Sequence, residues 1–567
     1  MNRVIKNILF VSIIVVAILL RGYDLGKVPP SPDWDEVALG YNAYSIMQTG
    51  RDEYGVFLPV VLRSFDDYKP AAYAYTIIPF IKLIGLNVTA VRLPSVIFGV
   101  ITVIAVYFLS QELLVLGLTD DEKKEQGKRK LRDAIAFCAM ILIAISPWHL
   151  QFSRIAFESN VGMSINILSF LFFLKGLKNY KYLPLSLTLA SLNLYMYQST
   201  KVFVPLLFIF LIVIFRNELL SIPKKWIVSS IMLAVLIALP MMMFILTNQN
   251  ALLRARGVSV FSDETSFLKR NAQKQLRDQQ QGNILGTLLD NRRVEYGKAI
   301  VAGYISHFDL NWLFITGDIE RHHAPYMGLM YLFELPFLLV GVYMLVFGDY
   351  PRKAKYVIFG YLLLAPIPAS FTSGVPHAVR TINFIPILQI ITAVGLITSY
   401  QYLKNMKYKI AMIPTKYLIF PLFTLFFIFN FLYFLNQYFV QQNYYFSKDW
   451  QYGHKEAIEY LQTIKSNYDS VIVSNVSPLD QSYIFYLFYS KYDPKAYIES
   501  GGTVSGGFKE LHKGFDKYTF RPIDWDKEKV NNRTLYVGRP QDIPENAHTQ
   551  KVINYLNGEP AIIIATK

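Results

Sequence analysis

The sequence has little cysteine and little charge: Cys138 is its single cysteine among 567 residues, and 17% of its residues are charged. One cysteine cannot close an intrachain disulfide, so a disulfide-stapled fold is excluded. No small-residue cleavage site follows the apolar opening MNRVIKNILFVSIIVVAILL, which we therefore interpret as an uncleaved span and not as a signal peptide. No sustained repeat is present. No Gly-Lys-Ser/Thr follows GGTVSGG (501–507), which favours a turn over a phosphate loop.

Long apolar runs dominate what is present. The chain is 53% hydrophobic, with 41 Phe and 39 Tyr. Its runs of about 16 to 25 apolar residues are long enough to cross about 30 Å of hydrocarbon as helices. The pattern predicts an all-α polytopic membrane protein of about eleven transmembrane helices, at residues 4–21, 91–116, 133–149, 161–178, 183–198, 202–216, 226–247, 328–347, 355–370, 380–402 and 411–435.

The distribution of Lys and Arg predicts the orientation of these spans. Basic residues are concentrated at the start of the chain and in the segments 117–132, 175–181, 216–225, 349–355 and 403–410. The three short loops on the opposite side carry one basic residue each: Arg154, Lys201 and Arg380. The positive-inside rule therefore predicts a multi-pass cell-membrane protein with a cytoplasmic N-terminus and an extracytoplasmic C-terminus. The net charge of +15 follows from these loops and needs no nucleic-acid partner.

Two domains are expected: a membrane module over 1–440 and a soluble extracytoplasmic α/β domain over 441–567. The module has two long outward loops, 22–90 and 248–327, and the short apolar stretch 71–86 is expected to form an interfacial or re-entrant helix. In the tail, YGHKEAIEYLQTIKSN has the apolar spacing of an amphipathic helix. The stretches SVIVSN, TLYVG and AIIIAT are typical of short strands.

The candidate site residues cluster in the predicted outward segments. SPDWDEVALGYNAY (31–44) carries the adjacent acids Asp35 and Glu36, and Ser31 or Asp33 before them suits a helix cap. SFDDYKPAAY (64–73) carries Lys69 beside a proline. SPWHLQFSRIAFESN (146–160) carries Arg154 and Glu158, whose spacing of four predicts a shared helical face. Later segments add the remaining candidates, which are Tyr197, Lys201, His377 and Arg380.

Each of these features also has a structural interpretation. Arg154 and Glu158 could form a structural ion pair, and Lys69 could extend to the membrane interface. His322 and His323 are interpreted as solvated loop histidines, because adjacent side chains seldom converge on one ion. Glu334 could mark a polar helix contact within its span. The coincidence of acids and bases at one membrane face nevertheless favours a site for a charged head group.

This set of groups suits transfer of a sugar from a lipid carrier. A sugar on polyprenyl phosphate presents its anomeric carbon at the interface, and phosphate is a good leaving group. The enzyme then has to neutralise the phosphate charge with Lys, Arg or a cation. It must also supply a carboxylate that takes the proton of the acceptor hydroxyl.

The ordered motifs resemble those of the GT-C glycosyltransferases. They are Asp-Glu at 35–36, Lys-Pro at 69–70, Arg-Leu-Pro-Ser at 92–95, and Ser-Arg followed by an acid at 153–158. Within that superfold the chain looks like the branch of protein O-mannosyltransferases and lipid A aminoarabinose transferases, over about residues 1–435. Bacterial oligosaccharyltransferases share the superfold but carry Trp-Trp-Asp, which this chain lacks. Its absence argues against transfer of a whole glycan.

The resemblance implies a role for each matching position. Asp35 matches the aspartate implicated in catalysis or cation binding, and Glu36 matches the neighbouring acid. Lys69 would contact the carrier phosphate. Arg154 and Glu158 match a second-loop arginine and acid, although the family's acid is usually aspartate. His377 and Arg380 occupy a late loop in which relatives carry basic phosphate-binding residues, with Tyr197 and Lys201 as further substrate-binding candidates.

The sequence thus predicts an inverting transferase of a single hexosyl or pentosyl unit, with a polyprenyl-phosphate-linked donor. The acceptor stays open between a protein hydroxyl, a lipid and a surface glycan. No cofactor is required unless a divalent cation binds, for which Asp35 and Glu158 are the candidate ligands. One alternative is a transporter or flippase of lipid-linked sugars, for which internal repeats and mid-membrane ionisable residues would be expected. A non-catalytic scaffold is the other.

Overall fold

The computed structural model describes residues 3–65, 67–248, 257–262, 266–407, 409–410, 413–414, 416–504 and 514–567. The start of the predicted span 411–435 and the end of the Gly-rich stretch 501–507 lie outside these residues. Helices make up most of the first 446 residues: Arg3–Gly22, Trp34–Thr49, Ala72–Ile84, Val88–Leu113, Asp120–Lys124, Gln126–Ile145, Pro147–Ser153, Glu158–Lys178, Leu183–Leu192, Thr200–Ile214, Arg216–Leu220, Lys224–Thr247, Ser266–Gln280, Ile284–Leu289, Arg292–Ser306, Glu334–Phe347, Arg352–Leu364, Ile367–Ser370, Phe384–Asn405, Lys416–Asn436 and Gln442–Phe446.

Within the described residues, six helices are long and apolar enough to cross a membrane, and a bent pair counts as a seventh if its two halves form one span. The six are Arg3–Gly22, Val88–Leu113, Glu158–Lys178, Lys224–Thr247, Phe384–Asn405 and Lys416–Phe446. Each of the other predicted spans also overlaps a helix, but several of these helices are shorter than the hydrocarbon thickness requires. The helical membrane architecture is confirmed, and the number of about eleven spans stays a prediction.

Two residues that the sequence places on one helical face lie after the bent pair of helices. Gln126–Ile145 and Pro147–Ser153 meet at an angle of 56°. Pro147 lacks the N–H that would continue the first helix and instead begins the second one, which ends at Ser153. Because a new helix starts at Glu158, Arg154 and Glu158 share no helix. The predicted common face is therefore wrong.

The segment after the first helix folds into two elements that carry site residues. Asp33 caps the helix Trp34–Thr49, accepting the Glu36 N–H while Glu36 reaches back toward the Asp33 N–H. Strands β1 (Val61–Ser64) and β2 (Asp67–Pro70) then form an antiparallel hairpin in which Leu62 pairs with Lys69. The short apolar helix Ala72–Ile84 follows, within the stretch predicted as interfacial or re-entrant.

The C-terminal residues form an α/β layer with helices His454–Ile464, Ser482–Tyr489 and Pro494–Glu499. A small antiparallel pair, β3 (Lys409–Ile410) and β4 (Ile413–Pro414), precedes this layer in the chain. The strands of the layer are β5 (Ser470–Val473), β6 (Tyr518–Phe520), β7 (Thr534–Gly538), β8 (His548–Asn554) and β9 (Pro560–Thr566). The sheet order is β6-β5-β7-β9-β8, with β5 parallel to both its neighbours and β9 antiparallel to both of its own. The predicted helix and all three predicted strands are confirmed.

This layer shares a hydrophobic core with the Trp34–Thr49 helix. Val37 and Ala38 are buried in the same cluster as Phe485 and Phe488 of the C-terminal layer. Glu53 is also buried and accepts a hydrogen bond from Thr503 at 2.8 Å. The C-terminal layer therefore supports the segment that begins with the candidate acids.

Candidate active site

A cavity of about 170 Å³ lies where the helices Trp34–Thr49 and Glu158–Lys178 begin. Residues from six separate stretches of the chain line it. They include six of the candidates from the sequence, which are Asp35, Lys69, Glu158, Tyr197, His377 and Arg380. The remaining three candidates, Glu36, Arg154 and Lys201, are not among the lining residues. Tertiary structure thus brings together groups that are up to 345 residues apart (Asp35 to Arg380).

Asp35 and Lys69 form an ion pair at the cavity wall. Lys69 Nζ donates to Asp35 Oδ1, and the side chains of Lys69 and Asp35 are 10% and 32% exposed. Burial would lower the pKa of Lys69, but the carboxylates of Asp35 and Glu158 outweigh it and raise the pKa above its ordinary value. Lys69 is therefore charged at neutral pH and holds one oxygen of Asp35 in place. Asp35 also lies in the first turn of its helix, where acidic side chains interact favourably with the helix dipole.

Glu36 is fully buried away from the cavity. Arg92 donates to both its oxygens, from Nε to Oε1 and from Nη2 to Oε2, each at 2.9 Å. The Ala156 N–H donates to Oε1 at 2.7 Å. These contacts join three segments of the chain, so the structure gives Glu36 a structural environment although the resemblance groups it with the catalytic acids. Arg92, the first residue of the Arg-Leu-Pro-Ser motif, is therefore also a structural residue, because it binds Glu36.

Arg154 is likewise enclosed. Its guanidinium donates to the carbonyl oxygens of Leu20, Arg21, Tyr23 and Val28 at 2.7 to 2.9 Å. It also lies 4.8 Å from the centre of the Phe439 ring. These contacts hold the end of the first helix against the bundle. Glu158, in contrast, begins its helix at the cavity.

Arg321 is a lining residue that the sequence reasoning did not single out. Its Nη1 donates to the buried Asp33 at 2.7 Å, and its guanidinium lies 5.1 Å from the centre of the Trp34 ring. Gln151 binds the Arg321 carbonyl oxygen at 2.6 Å. The residue comes from the long segment 248–327, in which many basic residues obscure any one of them. Its proximity to the acids depends on the fold.

Arg380 and Tyr197 complete the wall. Arg380 donates from Nη1 to Thr372 Oγ1 at 2.6 Å and to the Ser373 carbonyl at 2.7 Å, and it is half-buried. Gln198, beside Tyr197, donates to the Tyr68 carbonyl at 2.7 Å and so connects its segment to the β2 strand. Lys201 lies in the first turn of Thr200–Ile214, just beyond these lining residues.

Two histidines and an aspartate meet at the same cavity. Asp318 Oδ2 pairs with His322 Nδ1 at 2.9 Å and accepts the Ala378 N–H at 2.7 Å. Burial raises the pKa of Asp318, but His322 and this N–H outweigh burial and bring it down to about 2. Burial, with His322 and Arg380, holds the pKa of His377 well below its ordinary value. Asp318, His322 and His377 could together hold a metal ion.

The interpretation of the paired histidines as solvated is wrong. His322 is 4% exposed, and its ring lies 5.0 Å from that of His377. His323 is half-buried, and its Nδ1–H donates to the Ala324 carbonyl oxygen at 2.8 Å. Of the two histidines, only His322 belongs to the group of three residues that could hold a metal ion. In the sequence, only the spacing of four between Asp318 and His322 indicates this group. The third member, His377, is distant in the chain.

Comparison with solved structures identifies similar folds. The apo form of ArnT from Cupriavidus metallidurans matches 99% of this chain and 97% of its own, with a TM-score of 0.50 at 10% identity. ArnT bound to undecaprenyl phosphate matches 98% of this chain and 97% of its own, with the same TM-score and identity. The archaeal oligosaccharyltransferase AglB from Archaeoglobus fulgidus, in complex with an inhibitory peptide and a dolichol-phosphate, matches 85% of this chain with a TM-score of 0.49 at 12% identity.

The present chain spans 63% of the length of that AglB chain and nearly all of ArnT. No protein-family model matches the sequence, and no curated protein is similar to it in sequence. At such low identity the resemblance concerns the fold.

Proposed function

We propose that this chain, which has the fold of the GT-C glycosyltransferases, transfers a single sugar from a polyprenyl-phosphate carrier to an acceptor hydroxyl. ArnT, which covers the whole chain, has been solved with undecaprenyl phosphate. We propose that this protein likewise takes its donor sugar from a polyprenyl-phosphate carrier. The sugar, hexosyl or pentosyl, and the acceptor, whether protein, lipid or surface glycan, stay open.

The observation that carries the proposal is the composition of the cavity wall. It combines a partly exposed carboxylate, Asp35, with the cations Lys69, Arg321 and Arg380 around one small space. A volume of about 170 Å³ is below that of pockets for drug-sized ligands and suits one sugar ring better than an oligosaccharide. The absence of Trp-Trp-Asp from the sequence agrees with transfer of a single unit.

These groups support a direct displacement. The acceptor oxygen attacks the anomeric carbon as the bond from that carbon to the phosphate oxygen breaks, and the phosphate leaves with the electron pair. Asp35 takes the proton of the acceptor hydroxyl, and one such displacement inverts the anomeric centre. Lys69 holds the Asp35 carboxylate in position. Arg380 and Arg321 are placed to neutralise the departing phosphate, for which their guanidinium forks are suited.

The position of the charges bears on the alternatives. The lining cations and acids lie where helices begin, in segments between the long apolar helices. A transporter would be expected to place its ionisable residues near the middle of discontinuous spans. The comparisons contain glycosyltransferase folds and give the flippase alternative no support. A divalent cation held by Asp35 and Glu158 stays a prediction, with Lys69 as the competing cation at Asp35.

The proposal is tested with purified full-length protein in detergent. Given a polyprenyl-phosphate-linked monosaccharide and an acceptor, the wild type should release polyprenyl phosphate. Asp35→Asn should slow this release by about 10²- to 10⁴-fold, the range for loss of a general base.

Asp24→Asn is the matched control. Asp24 belongs to the same segment, is 40% exposed in its side chain and is not among the cavity residues. Its φ of 49° is one that Asn adopts readily, so the exchange should leave folding and transfer unchanged. Full activity of Asp35→Asn would refute the role of Asp35 as base. Failure of the wild type with every carrier-linked sugar would refute the proposed function.

A further inference from the structure

Three potential metal ligands converge at the cavity from two segments. Asp318 and His322 precede the helix Glu334–Phe347, and His377 precedes Phe384–Asn405. One ligand atom from each residue lies within 4.8 Å of the others. His322 and His377 are lining residues of the cavity, so an ion between them would face the bound substrate.

A buried atom without a hydrogen-bond partner points independently to a cation site. Asp318 Oδ1 is buried and has no hydrogen-bond partner among the described residues, whereas Oδ2 has two. A buried carboxylate oxygen without a donor or a cation is costly. The neighbouring arginine, Arg380, directs its Nη1 to Thr372 and Ser373 instead. The second Asp318 oxygen is therefore available as a ligand.

We propose that Asp318, His322 and His377 bind a divalent transition metal, with Zn²⁺ as the ion that fits their donors best. Two imidazole nitrogens and one carboxylate oxygen are a common three-ligand set for zinc, and such sites keep a fourth position open. A site built mainly for Mg²⁺ or Ca²⁺ would be dominated by oxygen. Zinc ligands are typically about 3.3 Å apart, so the side chains must close slightly around the ion.

This site differs from the cation site that the sequence suggests. Asp35, one of the two predicted ligands, is paired with the Lys69 ammonium. The histidine site lies on the segments that carry Arg321 and Arg380, the cations assigned to the phosphate. We infer that its open position holds a phosphate oxygen of the carrier, and this role rests on the proposed function whereas metal binding does not.

The metal alone tests the binding. Full-length protein in detergent is stripped with a chelator, loaded with Zn²⁺, desalted and analysed for zinc per chain. The wild type should retain about one equivalent. Co²⁺ in its place should give the visible absorption of a low-coordinate site. A wild-type chain that retains no zinc would overturn the proposal.

Variants locate the ion. His377→Ala and Asp318→Asn should lose the bound zinc, and the amide introduced by Asp318→Asn still offers an oxygen to the Ala378 N–H, so the local fold is kept. His323→Ala is the matched control, because His323 adjoins His322 but is not in the ligand group. Circular dichroism and thermal unfolding without metal show whether each variant is folded. Zinc retained by folded Asp318→Asn and His377→Ala would place the ion elsewhere and refute the site.

Binding of undecaprenyl phosphate tests the proposed role of the metal at the carrier phosphate separately from metal binding itself. The zinc-loaded wild type should bind it about tenfold more tightly than the stripped protein, as expected for an added charged contact. Equal affinities with zinc bound would refute the role at the phosphate while the metal site stands. Zinc binding without any sugar transfer would contradict the proposed function and leave the metal site intact.

Discussion

At the scale of single residues, two adjacent acids have different surroundings. Asp35 is partly exposed at the cavity, and Glu36 is fully buried between Arg92 and the Ala156 N–H. Successive residues of a helix point about 100° apart, so one can face the substrate while its neighbour faces the core. The sequence favours Asp35 as the reactive acid with Glu36 in support, and the structure suggests that this support is given through the fold.

The exchange Glu36→Gln tests whether Glu36 stabilises the fold while Asp35 serves the cavity. Arg92 would be left buried without a countercharge, which typically costs about 3 to 5 kcal/mol. We expect a clearly lower thermal unfolding temperature in detergent. Asp35→Asn should lower it less, because Asp35 is 32% exposed and the Glu158 carboxylate also acts on Lys69. Equal unfolding temperatures for the two variants would contradict the assignment of Glu36 to the fold.

At the scale of elements, the helices Glu334–Phe347 and Phe384–Asn405 approach each other closely through glycine. A Cβ at Gly395 would lie 1.9 Å from the Phe337 carbonyl oxygen, and one at Gly341 would lie 2.0 Å from that of Ile391. Small residues allow such backbone contact between membrane helices. These two helices follow the segments that carry His322 and Arg380, so their packing sets the spacing of the cavity wall.

Gly395→Ala should therefore destabilise the protein. The added methyl group meets backbone atoms that cannot move aside, and overpacking of this kind costs about 1 to 3 kcal/mol or more. Gly297→Ala is the matched control, because nothing lies within 4 Å of a Cβ there and alanine favours a helix over glycine by about 1 kcal/mol. Thermal unfolding compares the two. A Gly395→Ala protein as stable as Gly297→Ala would show that the helices are not packed this closely.

At the scale of the whole molecule, the C-terminal layer and the first acidic segment are built on a common core. The sequence divides the chain at residue 440, but Phe488 packs against Gly40, where a Cβ would lie 2.7 Å from its ring. Glu53 is bound by Thr503 and by Tyr483. The C-terminal layer therefore packs against the Trp34–Thr49 helix, which carries Asp35, and binds the segment that follows it.

A chain that ends at residue 440 should lose sugar transfer and unfold at lower temperature, because it exposes the apolar face of this helix. Phe488→Ala tests the same contact within the full-length chain and should cost about 3 to 5 kcal/mol. Val530→Ala, which is 78% exposed in the same layer, is the control. Undiminished activity and stability of the shortened chain would mean that the two parts are independent.

Much of the fold could be predicted because apolar length and strand alternation are local properties. The long apolar helices, the helix at 454–464 and the strands at 470, 534 and 560 follow from such patterns. The face shared by Arg154 and Glu158 could not be judged in this way, since one helix ends at Ser153 and the next begins only at Glu158. The partners of Arg154 are carbonyl groups more than 120 residues away, which no spacing indicates.

The sequence by itself indicated the class of the protein, the segments that carry its polar residues and Asp35 and Lys69 as separate site candidates, since these depend on composition, hydrophobic length and short motifs. Only tertiary structure decided which charged groups line the cavity. Burial directs Glu36 and Arg154 to partners in the core, because a charge removed from water needs compensating contacts. The same folding brings Arg321, His322 and His377 to one cavity, where neighbours in space, and not in sequence, define the chemistry.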